Sequence, residues 1–242
     1  MKKAAFYTLG CKVNQYETEA MAELFADSGY EIKEFTEVAD VYVINTCSVT
    51  NMGDRKSRQI IRRAKKLNPN AVIAVTGCYA QTAPDEVLAI EGVNLVLGTK
   101  DRKNIVTLVE ELNTESNINH VSDIMSNHEF EELQIKQYSN RTRAFIKIQE
   151  GCNQFCSYCI IPYARGPVRS RAKDDVVREI KELAHNGFKE IILVGIHVAS
   201  YGVDLGDTTL ESLIMDVDKI DGVERIRLSS IEPMTLNQEF ID

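Results

Sequence analysis

The chain has 242 residues, 44% of them hydrophobic, which is enough to bury a sizeable core in one large domain or two small ones. A formal net charge of -8 excludes a general nucleic-acid-coating protein, which would be basic overall, so any RNA contact has to be local. No run approaches the roughly 18 apolar residues of a membrane helix, and the opening residues reach Gly10, Cys11 and Lys12 before a signal-peptide core can form, so a cytoplasmic protein with no membrane partner is expected.

In chain order, AAFYTL at 4–9 reads as a buried strand. NQYETEAMAELFADSG at 14–29 reads as an amphipathic helix with Ala20, Leu24 and Phe25 on its apolar face and Gly29 as its stop. YEIKEF at 30–35 is predicted as an edge strand and VYVINT at 41–46 as a buried one. A strongly basic helix follows over 55–67, RKSRQIIRRAKKL, ended by Asn68 and Pro69. Next come the strand AVIAVTG at 71–77, a helix near 83–90, the strand NLVLG at 94–98 and a helix over 104–112. Continuous apolar strands separated by helices imply a parallel α/β sheet covered on both faces, with a flavodoxin-like order 2-1-3-4-5 as the expectation for a domain over 1–112.

Residues 113–142, rich in Asn, Ser and Glu, break this rhythm and read as a linker or a functional excursion. Alternation resumes over 143–242. It runs through the strand RAFIKIQ at 143–149, a helix over 174–187, the strand EIILVG at 190–195, a helix over 210–222 and the strand RIRLSS at 225–230. These are again β/α units, and the chain ends in the middle of their architecture.

The six cysteines of a cytosolic chain point to metal binding or catalysis rather than to disulfides. Cys152, Cys156 and Cys159 form a C-x3-C-x2-C loop just after the strand RAFIKIQ. That spacing lets a short loop wrap three thiolates around one face of a cubane iron–sulfur cluster, leaving one iron free to bind a small molecule. Structural zinc, the alternative, wants four ligands, usually as two separated pairs, and no second pair stands nearby. Cys11, Cys47 and Cys78 match no short motif, but each follows a predicted buried strand. In the order 2-1-3-4-5 those strands are adjacent. With neighbours about 4.8 Å apart, the three thiols can converge within about 10 Å at the carboxyl edge of the sheet, where open α/β sheets bind ligands. A single strand-end cysteine is more often a small buried hydrophobe. Three at equivalent positions favour a shared ligand, and thiolate-only ligation favours a second iron–sulfur cluster, with zinc still open.

The set Cys152, Cys156, Tyr158 and Cys159, C-x3-C-x-aromatic-C after a strand that opens a β/α series, resembles the radical S-adenosylmethionine (SAM) enzymes. With TLGCKVNQYETE, INTCSVT, VTGCYAQ, GCNQFCSYCIIPYARGPVRSR, LVGIHVASYG and RLSSIEP, the whole chain resembles the methylthiotransferases of that superfamily. GCKVNQYE and GIHVASYG are most similar to the type that modifies N6-threonylcarbamoyladenosine at position 37 of tRNA. The resemblance implies two 4Fe-4S clusters, SAM, a tRNA substrate and an electron donor such as flavodoxin or ferredoxin. It also implies that a deoxyadenosyl radical made at Cys152, Cys156 and Cys159 abstracts hydrogen from adenine C2. Sulfur associated with Cys11, Cys47 and Cys78 is then inserted, and a second SAM supplies the methyl group.

Tyr158, Gly195, Ser229 and Glu232 are candidate SAM contacts on this reading, while His197 reads as structural. Arg165, Arg169 and Arg171, with Lys173, are the first candidates for RNA contact. The basic helix, with Arg55, Lys56, Arg58, Arg62, Arg63, Lys65 and Lys66, is either a second RNA contact or a solvated face. Family members continue through a six-stranded partial barrel into a small RNA-binding β domain called TRAM. An incomplete barrel with an unpaired apolar edge, and no TRAM domain, is therefore expected here. The alternatives are action on isopentenyladenosine in tRNA, action on a ribosomal protein, or a non-catalytic iron–sulfur or zinc module.

Overall fold

The computed structural model describes residues 1–48, 51–112, 116–133, 135, 143–229, 231, 232 and 240, and only the backbone at 51 and 52. Residues 113–115, 134 and 136–142 of the predicted linker, and Ser230 of the last predicted strand, lie outside the described residues.

The amino-terminal half runs β1 (Lys3–Thr8), α1 (Lys12–Asp27), β2 (Glu31–Lys33), β3 (Val41–Thr46), α2 (Asn51–Leu67), β4 (Val72–Gly77), α3 (Cys78–Thr82), α4 (Pro84–Leu88), β5 (Leu95–Leu97), α5 (Ile105–Glu110) and β6 (Ile118–His120). Its strands form one parallel sheet in the order β2-β1-β3-β4-β5-β6. The predicted order is present, with one strand added from the segment read as linker. β6 carries no alternation signal because all three of its residues are exposed. Backbone pairing from Leu95–Ile118 to Leu97–His120 and the Asn94 side-chain amide on Ser116 O (3.1 Å) hold it instead.

Side chains alternate across the buried strands as a two-sided sheet requires. Tyr42, Ile44, Ile73 and Val75 face Ile61 and Ala64 of α2 and Val87 of α4. Val41, Val43 and Ala74 face Met21 and Phe25 of α1 and Ile105 and Val109 of α5.

The second half runs β7 (Arg143–Lys147), β8 (Gln149–Glu150), α6 (Ile161–Arg165), β9 (Arg169–Ser170), α7 (Lys173–His185), β10 (Glu190–Val194), α8 (Leu210–Asp218) and β11 (Arg225–Leu228). β7, β10 and β11 form a parallel sheet in the order β11-β10-β7, while β8 and β9 pair antiparallel beside it. The edge strand β11 tucks Ile226 and Leu228 against the core and pairs Arg225 and Arg227 with Glu190 at 3.2 and 3.1 Å, so its edge is partly charged.

Helix α1 belongs to both halves. Tyr16 and Ala20 join the core built from Ala144, Ile146, Val176, Ile180 and Leu213, and the Tyr16 hydroxyl donates to Leu133 O. The remaining turns of the same helix cover the first sheet through Met21 and Phe25.

Candidate metal centre

Three loops at the carboxyl edge of the first sheet carry the first cysteine triad. Cys11 stands at the N-cap of α1, Cys47 follows β3, and Cys78 opens α3 directly after β4. Gly10 has φ +110°, and a Cβ there would lie 2.9 Å from Cys47 Cβ and 3.1 Å from its sulfur. Only a glycine lets the Cys11 and Cys47 loops run this close. Gly77, with φ +96°, does the same for the turn into Cys78, since a Cβ would meet Asn45 Oδ1 and Thr46 O at 2.4 Å.

Asn14 ties the loops together. Its amide donates to Leu9 O (2.7 Å) and Thr46 O (2.9 Å), and its Oδ1 faces Cys11 Sγ at 3.7 Å. Exposure is graded, with Cys11 exposed, Cys47 half-buried and Cys78 buried. Burial pushes the Cys78 thiol up; the Arg165 charge and hydrogen bond oppose this, and the nearby Cys11 and Cys47 reinforce it.

The second triad lies on the loop between β8 and α6. Gly151, with φ +77°, presses against the next turn so closely that a Cβ would fall 1.8 Å from Pro167 O. The Cys152 amide donates to Gly166 O (3.0 Å), the Val168 amide to Asn153 Oδ1 (3.0 Å) and the Cys159 amide to Cys156 O (2.9 Å). Burial pushes the Cys152 thiol up, and Cys159, Cys156 and Glu232 add to the shift.

Of the candidate SAM contacts, Gly195 directly follows β10 under the side chain of Gln149, whose Oε1 would be 2.8 Å from an added Cβ. Gln149 accepts from the His197 amide (2.8 Å) and donates to Glu150 O (2.9 Å) and Gly151 O (2.8 Å), joining the ends of β8 and β10. Glu232 Oε2 lies 4.0 Å from His197 Nε2, which places Gly195, His197, Glu232 and Cys152 at one edge of the second sheet. Ser229 fastens β11 to β10 through its amide (3.2 Å) and hydroxyl (3.4 Å) on Leu193 O. Tyr158 is 90% exposed, with its ring in solvent rather than packed against the site.

The three arginines read as RNA contacts are corrected by the structure, which buries all of them. Arg165 pairs with Glu17 (2.6 Å) and Glu150 (2.7 Å), and Arg171 with Glu132 (3.0 Å) and Glu179. Arg169 donates to Pro167 O (3.1 Å), Asn127 O (3.3 Å) and Arg165 O (2.9 Å). Clustered in sequence, they resemble a basic patch. Their partners lie on other elements, from Glu179, 8 residues from Arg171, to Glu17, 148 residues from Arg165, so the charges are answered inside the protein.

The network around Arg165 is the part of the site that local sequence reading missed. Glu17 of α1 lies 2.6 Å from Arg102, 2.6 Å from Arg165 and 3.1 Å from Lys147, and Glu150 takes Lys147 at 3.0 Å and Arg165 at 2.7 Å. Arg102 also pairs with Glu131 at 2.8 Å. Burial works against the Glu17 carboxylate, but Arg102, Arg165 and Lys147 outweigh it and hold the pKa at about 2. Glu150 is likewise held well below the usual range. One signal was available: Glu17 interrupts a helical stripe of Val13, Ala20 and Leu24 that is otherwise apolar.

Among the described residues, the four cations Arg102, Lys147, Arg165 and Arg169 face three carboxylates, Glu17, Glu131 and Glu150. The next acceptor is Cys78 Sγ, 3.3 Å from Arg165 Nε. The guanidinium there favours the thiolate form that a metal ligand takes, against the burial that raises the Cys78 pKa. Among the described residues, no three His, Cys, Asp or Glu side chains are grouped to hold one metal ion. All-thiol donor sets of this kind are soft ligands, chemically suited to zinc or to an iron–sulfur cluster.

Two family models and several known proteins match the chain. Residues 3–98 match the uncharacterized protein family UPF0004, and residues 146–242 match the radical SAM superfamily. The chain is 52% identical over 244 residues to the threonylcarbamoyladenosine tRNA methylthiotransferase MtaB of Bacillus subtilis (strain 168), covering 100% of this chain and 54% of that protein. It is 43% identical over 240 residues to the protein of the same name from Aquifex aeolicus, covering 99% and 58%. It is also 37% identical over 242 residues to the tRNA-2-methylthio-N(6)-dimethylallyladenosine synthase of a Sulfurihydrogenibium species, covering 97% and 55%. The chain thus spans about half the length of the curated relatives it matches.

Among solved structures, the radical SAM methyltransferase TsrM of Kitasatospora setae, with cobalamin and a 4Fe-4S cluster bound, aligns with a TM-score of 0.64 at 16% identity, covering 99% of this chain and 58% of that one. The same enzyme with tryptophan and a SAM analogue bound aligns at 0.65 and 15% identity, covering 99% and 56%. At those identities the likeness is one of fold.

Proposed function

We propose that the chain is a radical SAM methylthiotransferase that adds a methylthio group to C2 of N6-threonylcarbamoyladenosine at position 37 of tRNA. The observation that carries the reading is the placement of the two cysteine triads. Each stands at the carboxyl edge of a parallel sheet, the two sheets share α1, and Arg165, bonded to Cys78 Sγ, pairs with Glu150 at the base of the other triad's loop.

Cys152, Cys156 and Cys159 would hold the 4Fe-4S cluster that binds SAM, and Cys11, Cys47 and Cys78 would hold a second. With SAM, such clusters supply a one-electron route to break the unactivated C2–H bond of adenine, which acid–base side chains cannot break, and the sulfur that replaces the hydrogen. The protein's own residues set the stage for that chemistry. Gln149 locks the base of the cysteine loop to the end of β10, Gly151 lets the loop fold back onto Pro167, and Glu232 and His197 line the rim beside Cys152.

With Arg165, Arg169 and Arg171 buried, α2 offers the basic surface for RNA. It begins just after the Cys47 loop and exposes Arg55, Lys56, Arg62, Arg63 and Lys66, which beside Arg58, Gln59 and Ile60 border a shallow recess except for Lys56. Among the described residues Arg58 finds an acid, Glu86 at 3.0 Å, and the five exposed cations find none. An electron donor such as flavodoxin or ferredoxin and a cytoplasmic location go with this reading. No described helix is long and apolar enough to cross a membrane.

Preference for the threonylcarbamoyl base over the dimethylallyl one follows the higher identity to the relatives named for the former. Nucleoside mass spectrometry of tRNA from cells lacking the gene tests it. The methylthio form of threonylcarbamoyladenosine should vanish, leaving its unmodified precursor, and return with the gene. Loss of the dimethylallyl counterpart instead would move the substrate assignment, and no change in either would refute the reading.

A further inference from the structure

We propose that Arg165 is a positioning residue for the amino-terminal triad, its Nε–H donating to the Cys78 sulfur so that one guanidinium sets that thiolate's electronic environment and fixes the two triads relative to each other. The inference rests on the reading of Cys11, Cys47 and Cys78 as ligands of a second cluster.

All five guanidinium N–H donors of Arg165 are directed. Nε points at Cys78 Sγ (3.3 Å), Nη1 at Glu17 (2.6 Å) and Glu150 (2.7 Å), and Nη2 at Asn14 (2.5 Å) and Glu17 (3.1 Å). The planar fork is thus held from two edges by carboxylates, and its third edge meets the sulfur. Asn14 carries the link further, because the oxygen that accepts from Arg165 also faces Cys11 Sγ at 3.7 Å. Arg165 touches one thiol of the triad directly and a second through one side chain.

The same residue closes the other triad's loop. Glu150 and Arg165 bracket Cys152, Cys156 and Cys159, and their ion pair joins the two ends of that segment. Next to Arg165, Gly166 O accepts the Cys152 amide (3.0 Å), and Ala164 O accepts the Thr99 hydroxyl (2.7 Å) from the first half of the chain. α6 is therefore pinned to both halves within three consecutive residues. A strut needs only the carboxylate edges, and the sulfur hydrogen bond is surplus to it. Donation to a cluster's cysteine sulfur withdraws electron density and is one of the levers on reduction potential.

The test uses the full chain carrying Cys152→Ala, Cys156→Ala and Cys159→Ala, so that a cluster reconstituted anaerobically belongs to the amino-terminal triad. Arg165→Lys is compared in that background with Arg102→Lys, which disturbs the same buried network without touching a sulfur. The expected result is a cluster with a more negative midpoint potential and an altered visible spectrum in Arg165→Lys, and an unshifted potential in Arg102→Lys. Should Arg165→Lys fail to fold, the pair Arg165→Gln with Glu17→Gln removes one charge of each sign and should show the same shift. Equal shifts in the Arg165 and Arg102 variants, or none in either, reduce Arg165 to a strut and overturn the proposal. A parent that binds no iron overturns the second-cluster reading along with it.

Discussion

Glu17 sits on a face of α1 between Val13 and Ala20, and its carboxylate receives Arg102, Arg165 and Lys147 with no water-exposed edge. Removing it leaves buried cations unpaired, so Glu17→Gln should cost about 3–5 kcal/mol in chemical denaturation. The pH dependence has a definite sign. Folding lowers the Glu17 pKa from 4.5 to about 2, so its contribution is full above pH 4.5 and is lost as pH falls toward 2. Stability measured across that window should fall steeply in the native chain and less steeply in Glu17→Gln. Gly77→Ala tests the first triad, because the new Cβ would collide with Asn45 and Thr46 and displace Cys78. Metal binding at that triad should drop while the Cys152 loop keeps its own. Where the cysteines stand was legible because motif spacing and strand ends are local features. Glu17 was not, because Lys147 and Arg165 lie 130 and 148 residues away.

Among the helices, α2 places Arg55, Arg58, Arg62 and Lys66 three or four residues apart, where like charges repel by about 0.2–0.5 kcal/mol per pair. On the proposed function, an anionic partner would relieve this repulsion. Replacing Arg62, Arg63 and Lys66 by Gln should leave stability unchanged or slightly higher. It should weaken binding to an anticodon stem-loop RNA and flatten the salt dependence by about 0.9 for each phosphate no longer neutralised. Fluorescence anisotropy over a salt series measures both, and unchanged affinity would return α2 to a solvated face. β6 marks the opposite limit of sequence reading. A short exposed strand held by backbone pairing has no apolar pattern to announce it, so its segment read as linker.

Across the molecule as a whole, the parallel order of the first sheet and the β/α series of the second were legible because buried strands are continuous apolar runs. The way the halves join was not, because it depends on α1 serving two cores and on charges that pair across the junction. That junction predicts cooperative behaviour. Both halves should unfold in one denaturant transition by fluorescence and circular dichroism, and two separated transitions would show that α1 and the buried charges do not couple them.

Whether the two cysteine triads each hold a four-iron cluster is decided by iron and sulfide analysis of the anaerobically reconstituted chain. About eight irons per chain are expected, falling to about four when either Cys11, Cys47 and Cys78 or Cys152, Cys156 and Cys159 are replaced by Ala. About four irons in the native chain, unchanged on replacing the first triad, or zinc in place of iron, would contradict the assignment of two clusters.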